Sequence, residues 1–463
     1  MFIIDSNDTT PLYHQLFQQI KEKILSGKLS AHFKLPSIRD LAAELATSRN
    51  TVEGAFLELC AEGYIYSKSR SGYFVSDIGQ ELATSTQLTQ QKQDLHPKLA
   101  EHYLYDFHPA RLDPEIFPTT AWRKCLLDAL RSNSDDFSQY NEPQGEWGLR
   151  CNIQFYLERS RGVLCSPDQI VVCSGLQQSL DIVAQLIKGS HGSVAIENPG
   201  YHLPRDVFHN HGFSINSIDV DSNGIKLNAL KASSSTAVYI TPSHQMPLGH
   251  VMPVANRLKL ISWSQEVDGI IIEDDYDSEL RYLGRPIASL QGLCSDGNII
   301  YQGTFSKVFS PALRLSYMVL PKPLLYAYTQ NFQNYLSPVP LLIQRAMTTF
   351  MERGHWDQHL RRSRIFYKKK HGVILQAIKQ HFGDKAKVIG QGAGLHIVVE
   401  LAKCISNEVK FIDKAKRHGV HLLPFSVFYA SGEQKNNRLL LGFGGMPIDK
   451  IPQGIKLLSK YID

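Results

Sequence analysis

The chain has 463 residues, 43% of them hydrophobic and 20% charged, an ordinary globular balance that excludes wholesale disorder, a collagen-like repeat and a coiled-coil rod. At about 150 residues per domain there is room for a small domain beside a large one, and the net charge of +5 is too mild to announce a nucleic-acid binder by itself. No run approaches the roughly 20 apolar residues that cross a bilayer, and the N-terminal MFIIDSNDTTPLYHQ has neither the basic start nor the apolar core of a signal peptide, so the expected compartment is the cytoplasm, with no membrane partner.

Residues 11–76 read as three helices and a hairpin. Pro11 stands where a helix start tolerates proline, and Leu12, Leu16, Ile20 and Ile24 follow at four-residue steps towards Gly27. Ser37 is placed to cap a short helix, IRDLAAEL, and Ser48 to cap a third that turns Val52, Phe56 and Leu59 inward before Gly63 stops it. The runs YIYS and GYFVS, joined by KSRS, predict a hairpin. Residues 1–76 carry eight Lys and Arg against eight Asp and Glu, so position, not bulk charge, must argue for DNA. The third helix opens Ser48-Arg49-Asn50-Thr51, and the second helix of a helix-turn-helix meets base edges with its first turn, where Arg pairs with guanine and Asn with adenine. Arg39, before it, and Lys68 and Arg70, in the hairpin loop, are placed for phosphates or the minor groove.

From residue 77 to 105 the chain is rich in Gln, Thr and Lys and reads as a linker. Residues 106–463 alternate helical stretches with short apolar runs (QIVVCS, SVAIENP, AVYITP, GIIIEDD, NIIYQGTFS, LSYMVLP), the pattern of an α/β domain with a mainly parallel sheet. Lys307, in GTFSK, follows the run NIIYQ and so emerges at a strand's carboxyl end, where α/β sheets bind ligands. A lysine there is placed for a Schiff base with a carbonyl cofactor. Asp274 follows GIIIE at another strand end, a carboxylate suited to a pyridinium nitrogen. Ser174-Gly175-Leu176 opens the helix LQQSLDIVAQL, whose free N–H groups make a phosphate site, and Arg314 returns seven residues after Lys307 with a forked cation for the same phosphate.

Residues 11–76 resemble the winged helix-turn-helix of the GntR family along their whole length, through LPS-x-R-x-LA, SR-x-TV and a wing running from EG to the G-x-FV that starts at Gly72. His32 occupies a turn position where that family usually has Gly, and Thr47 stands within its usual GVSR turn. The rest resembles fold-type I pyridoxal-phosphate aminotransferases, through SGLQQ, ENPGY, TPSHQMPLG, IIEDDYDSELRY, GTFSKVFSPALRLSY and GAGLH. Together they are similar to the MocR-type regulators, in which both halves are fused. The resemblance implies an α+β winged helix-turn-helix domain (1–76), a linker (77–105) and a large α/β aminotransferase-like domain (106–463). It also implies pyridoxal 5'-phosphate on Lys307, Asp274 at the ring nitrogen, Tyr276 at the phenolic oxygen, Tyr201 stacked on the ring, and Ser174, Gly175, Leu176, Thr304, Ser306 and Arg314 around the phosphate. The implied partners are operator DNA, held by Arg39, Ser48, Arg49, Asn50, Thr51, Lys68, Arg70 and Gly72, an amine or amino-acid effector, and a second copy in a domain-swapped homodimer.

His244 and Gln245 match the family's SHQ element, whereas Met246 stands where aminotransferases carry an asparagine. For an effector carboxylate the sequence offers Arg205, four residues after Tyr201, and Arg438, two residues before the expected position, which holds Leu440. GQGAG at 390–394 precedes a strand and is no dinucleotide fingerprint. His355 and His359 have no third ligand nearby and read as surface residues, so no metal is expected. Seven scattered cysteines without a C-x-x-C pair suit reduced thiols. A working aminotransferase and a DNA-binding repressor whose large domain is inert, or takes pyridoxal phosphate itself as its only ligand, are the rival readings, separated by turnover and by cofactor absorption.

Overall fold

The computed structural model describes residues 2–5, 8, 10–78, 103–131, 137–284, 288–430 and 437–462, and the chain divides into two units, residues 1–101 and 102–463. Most of the predicted linker, residues 79–102, lies outside the described residues.

In the first unit, α1 (Leu12–Leu25), α2 (Ile38–Glu44) and α3 (Arg49–Ala61) precede β1 (Ile65–Lys68) and β2 (Gly72–Val75). The caps form as the sequence predicts: the Ser37 hydroxyl accepts from Asp40 N and the Ser48 hydroxyl from Thr51 N, both at 3.1 Å, which satisfies donors that the helix starts leave open. Leu16, Phe17, Ile20 and Ile24 meet Val52, Ala55, Phe56 and Leu59 in one buried core. The wing strands pair antiparallel, Ile65 opposite Val75 and Lys68 opposite Gly72. His32 has a φ of 64°, the left-handed backbone that glycine adopts without strain.

In the second unit, β3 (Tyr105–Asp106) precedes α4 (Thr119–Arg131), α5 (Trp147–Arg161), β4 (Ile170–Cys173), α6 (Leu176–Ile187), β5 (Ser193–Asn198), α7 (His202–Asn210), β6 (Ser214–Asp221), β7 (Gly224–Ile225), β8 (Ala237–Ile240), β9 (Ile270–Asp275), β10 (Ile299–Thr304) and β11 (Ser316–Val319). Eight of these strands make one sheet, in the order β4-β11-β10-β9-β8-β5-β6-β7. The pairs from β10 through β9, β8 and β5 to β6 are parallel. β11 runs against both its neighbours and β7 against β6. The run LSYMVLP therefore follows its predecessor without a crossover: residues 305–315, with a single 3-10 turn at Pro311–Leu313 and no α-helix, return the chain antiparallel to β10, whereas a parallel connection usually needs a crossover helix.

The central strands are buried on both faces because helices cover both sides. Along β9, Ile270 and Ile272 join the core beneath α6 and α7, while Ile271 joins the opposite core with Val238 and Trp263, the alternation that a strand imposes. A second sheet joins β12 (Ala386–Ile389), β13 (His396–Leu401) and, following β14 (Val420–His421), β15 (Arg438–Gly442). β14 pairs with β3, Val420 opposite Tyr105, and Tyr103 stacks on His421 with ring centroids 4.5 Å apart. Residues 103–105, assigned to the linker from composition, thus pack on the second unit. His359 also departs from its reading as a surface residue: it lies on the buried face of the helix His355–Phe382, and its Nε2 is 2.6 Å from the Val308 carbonyl. Among the described residues no helix is long and apolar enough to cross a membrane.

Candidate functional site

A cavity of about 490 Å³ opens at the carboxyl ends of the parallel strands. Asp274 and Gln302 are register partners on β9 and β10, so their side chains leave the sheet on one face, and both line the cavity. Three residues past β10 comes Lys307, the cavity's one lysine among the described residues. Its Nζ lies 3.5 Å from the Pro109 carbonyl and 5.8 Å from the centre of the Tyr276 ring. Burial lowers the Lys307 pKa against the opposing pull of Asp277 and Asp274, so more of the amine is an unprotonated nucleophile at neutral pH than in water.

The loop after Lys307 brings Arg314 back to the start of α6. Arg314 holds a left-handed backbone, φ 50°, and its Nη2 donates to the Ser174 carbonyl at 3.2 Å. Gly175, the N-cap of α6, has φ 84° and no side-chain cap, and a Cβ there would collide with the Arg314 guanidinium. The close approach of backbone and guanidinium therefore requires glycine. Thr304, Ser306, Gly175 and Leu176 line this end of the cavity. Ser306 Oγ is buried without a hydrogen-bond partner, and buried hydroxyls ordinarily have one. Ser174 takes part through its backbone, its N–H bonded to Gln178 Oε1 at 2.7 Å.

At the other end, the buried Tyr239 hydroxyl donates to Asp274. Burial pushes the Asp274 carboxyl up to about 7, a rise that the Tyr239 bond opposes and the nearby charges of Asp275 and Asp277 reinforce. Tyr276 Oη lies 3.1 Å from His244 Nδ1 and 3.7 Å from Met246 Sδ, and the same His244 nitrogen is 2.8 Å from Asp277 Oδ2. His244, Asp277 and the buried His396 form a compact group beside the cavity. Tyr201, at the start of α7, and Phe428 complete that wall.

The structure thus brings Gly175, Leu176, Tyr201, Asp274, Tyr276, Thr304, Ser306, Lys307 and Arg314 to one cavity. It does not bring Arg205 or Arg438 there. Arg205 donates to the Tyr429 carbonyl at 3.0 Å and pairs with Asp206 at 3.5 Å, while Arg438 is held by Glu400 through bonds of 3.1 and 2.9 Å. Sequence reasoning missed Tyr239, Thr241, Gln302 and His108. Gln302 and Tyr239 sit inside apolar runs, where alternation alone marks them as buried.

The residues present fit pyridoxal phosphate. The α6 start, Arg314 and the unpartnered Ser306 hydroxyl make a cradle for a phosphate, Asp274 is a buried carboxylate for a ring nitrogen, and Lys307 is an amine of lowered basicity. On the first unit, Arg39, Ser48, Arg49, Asn50, Lys68, Arg70 and Gly72 are exposed and Thr51 is half-buried.

A three-helix head with a wing, followed by an aminotransferase fold with its cavity at the strand ends, defines a DNA-binding regulator with an aminotransferase-like domain. Residues 12–75 match the bacterial regulatory proteins of the gntR family and residues 111–453 the class I and II aminotransferases. The HTH-type transcriptional regulator YdeL of Bacillus subtilis is 38% identical over 97% of this chain and 96% of its own. The probable rhizopine catabolism regulatory protein MocR of Rhizobium meliloti is 31% identical over 99% and 95%. The kynurenine aminotransferase of Pyrococcus horikoshii, solved in complex with PMP, superposes with a TM-score of 0.69 over 78% of this chain and 91% of its own, at 27% identity. The chain belongs to the MocR-type regulators of the GntR family.

Proposed function

We propose that the protein is a transcription regulator that holds pyridoxal phosphate on Lys307 and responds to a primary amine. The observation that carries this reading is the cavity itself: its one lysine among the described residues shares the lining with a buried carboxylate, Asp274, with Arg314 and with Ser306, whose Oγ is buried without a partner. Pyridoxal phosphate, when bound, supplies an aldehyde that condenses reversibly with primary amines. Lys307 is the amine that would hold that aldehyde, and the cavity around it is where a ligand amine would compete for it. Asp274 would face the ring nitrogen, Arg314, Ser306, Thr304 and the α6 N–H groups would hold the phosphate, Tyr201 would stack on the ring and Tyr276 would meet the phenolic oxygen. A ligand shifts a regulator only by binding one of its states better than the other. The regulatory half of the reading therefore needs the amine to favour one state of the chain. The family likeness adds a homodimer with exchanged heads, which light scattering on the free protein checks.

The purified protein should be yellow, and borohydride reduction followed by peptide mapping should place a pyridoxyl group on Lys307. An unmodified Lys307 in cofactor-saturated protein would refute the reading. On the head, Arg49, exposed on the first turn of α3, reads base edges, whereas Lys68 and Arg70 of the wing anchor phosphates. Arg49→Ala should cost about 1–3 kcal/mol on the operator and flatten preference among sequences, while Lys68→Ala should weaken all DNA alike and lower the salt slope by about one. Equal loss on specific and random duplexes for Arg49→Ala, measured by anisotropy, would contradict that division.

A further inference from the structure

The charges of the Lys307 cavity are unevenly spread. Among the described residues, its lining contains two strongly basic side chains, Lys307 and Arg314. Arg314 is committed to the Gly175 end through its bond to the Ser174 carbonyl, and Lys307 is the anchoring amine. The two lining imidazoles, His108 and His202, are both lowered in pKa by burial and so carry no charge at neutral pH, and His108 Nδ1 accepts from Ala110 N at 3.2 Å, which leaves its Nε2–H as a neutral donor.

The opposite wall is apolar. Met246, Phe428, Leu423, Tyr201 and Tyr276 line the cavity and belong to one cluster with Leu248, Val398, Phe425 and Leu440. Leu440 stands opposite Val398 on the β13–β15 pair, and Arg438 stands opposite Glu400, two residues further along the strand. Arg205 is tied to the Tyr429 carbonyl and Asp206 and does not line the cavity. An α-amino acid would bring a carboxylate to this cavity, where the donors that this chain leaves open, Gln302 Nε2 and the His108 and His202 imidazoles, are neutral, and a carboxylate leaving water without an opposite charge to receive it is strongly disfavoured. An alkyl or aryl group would instead exchange water for the Met246–Phe428 wall.

Resting on the reading of Lys307 as the cofactor lysine, we infer that the ligand is a primary amine with an apolar body and no carboxylate on the amine-bearing carbon. The test uses the full-length, cofactor-loaded protein and follows the cofactor's absorption band during titration with matched probes: 2-phenylethylamine against L- and D-phenylalanine, isoamylamine against leucine, and pentylamine against norleucine. Each plain amine should bind at least tenfold more tightly than its carboxylated counterpart. Equal or tighter binding of the carboxylated probes overturns this inference and leaves the cofactor assignment standing, whereas a protein that takes up no cofactor overturns both. Leu423→Arg adds a cation at a half-buried lining position and should close or reverse the gap for phenylalanine. An unchanged ratio in that variant overturns the assignment of selectivity to this wall.

Discussion

Replacing Lys307 with alanine should abolish covalent retention of pyridoxal phosphate and, with it, the response to amines, while the amine-free protein keeps its affinity for operator DNA. The expectation follows from the lining: among the described residues no second lysine reaches the cavity, so no other side chain there replaces the lost amine. Arg314, Ser306 and Asp274 are untouched, and the variant should still bind the cofactor reversibly and lose it on denaturing filtration. Borohydride treatment separates the two situations, since wild type should retain the pyridoxyl group and Lys307→Ala should retain none. A reduced adduct at another residue of the variant would show that the anchor is misassigned.

Asp274→Asn should act in opposite directions on the cofactor-free fold and on cofactor binding. The Asp274 carboxyl, ordinarily near 3.8, is pushed up to about 7, so between these values the native state holds a proton that the unfolded chain has released. Stability then falls as pH rises through that window. The ionised carboxylate costs about 4 kcal/mol once the pH is above 7, from about three units at 1.4 kcal/mol each. Asparagine removes that cost and can still accept from Tyr239. Cofactor-free Asp274→Asn should therefore be more stable than wild type at pH 8 by up to about 4 kcal/mol, with the difference vanishing near pH 4. Glu197 and Glu279, also pushed up to about 7 by burial, keep part of the same slope in both proteins. Binding should respond the other way, because a neutral amide can accept from a protonated ring nitrogen but brings no opposite charge to it. A charge-assisted hydrogen bond of about 1.5–3 kcal/mol corresponds to roughly tenfold to a hundredfold in cofactor affinity. Denaturant titrations at pH 5 and 8 and a cofactor titration check the two halves, and a variant less stable than wild type at pH 8 would contradict the electrostatic argument.

The head was legible almost residue by residue because its determinants are local. Ser37 and Ser48 cap the helices they precede, and the four-residue steps from Leu16 to Ile24 mark a buried face that needs no distant partner to be recognised. The strand ends that carry Asp274, Lys307 and Gly175 were equally plain, since each apolar run stops where a polar residue must emerge. What the sequence concealed depends on pairing between distant segments. Strand period keeps Arg438 on the same face as Leu440, but the two-residue offset of about 7 Å along the strand sets it opposite Glu400, and the nearest opposite charge holds it. His359 looked like half of an exposed pair, but only the packing of its helix against Val308 decides which face is inside. Tyr239 and Gln302 were hidden within apolar runs for the same reason.

The central claim, that one chain couples an amine site to an operator site, is tested most directly by titrating an amine with and without operator duplex while following the cofactor's absorption band. Coupling is reciprocal at equilibrium, so operator must change amine affinity by the same factor by which the amine changes operator affinity, commonly about 5–150-fold. The account predicts two displaced curves whose ratio equals that from the reverse experiment, in which operator affinity is measured with and without saturating amine. Superimposed curves for every amine that perturbs the cofactor band, in a protein that binds its operator tightly, would contradict it.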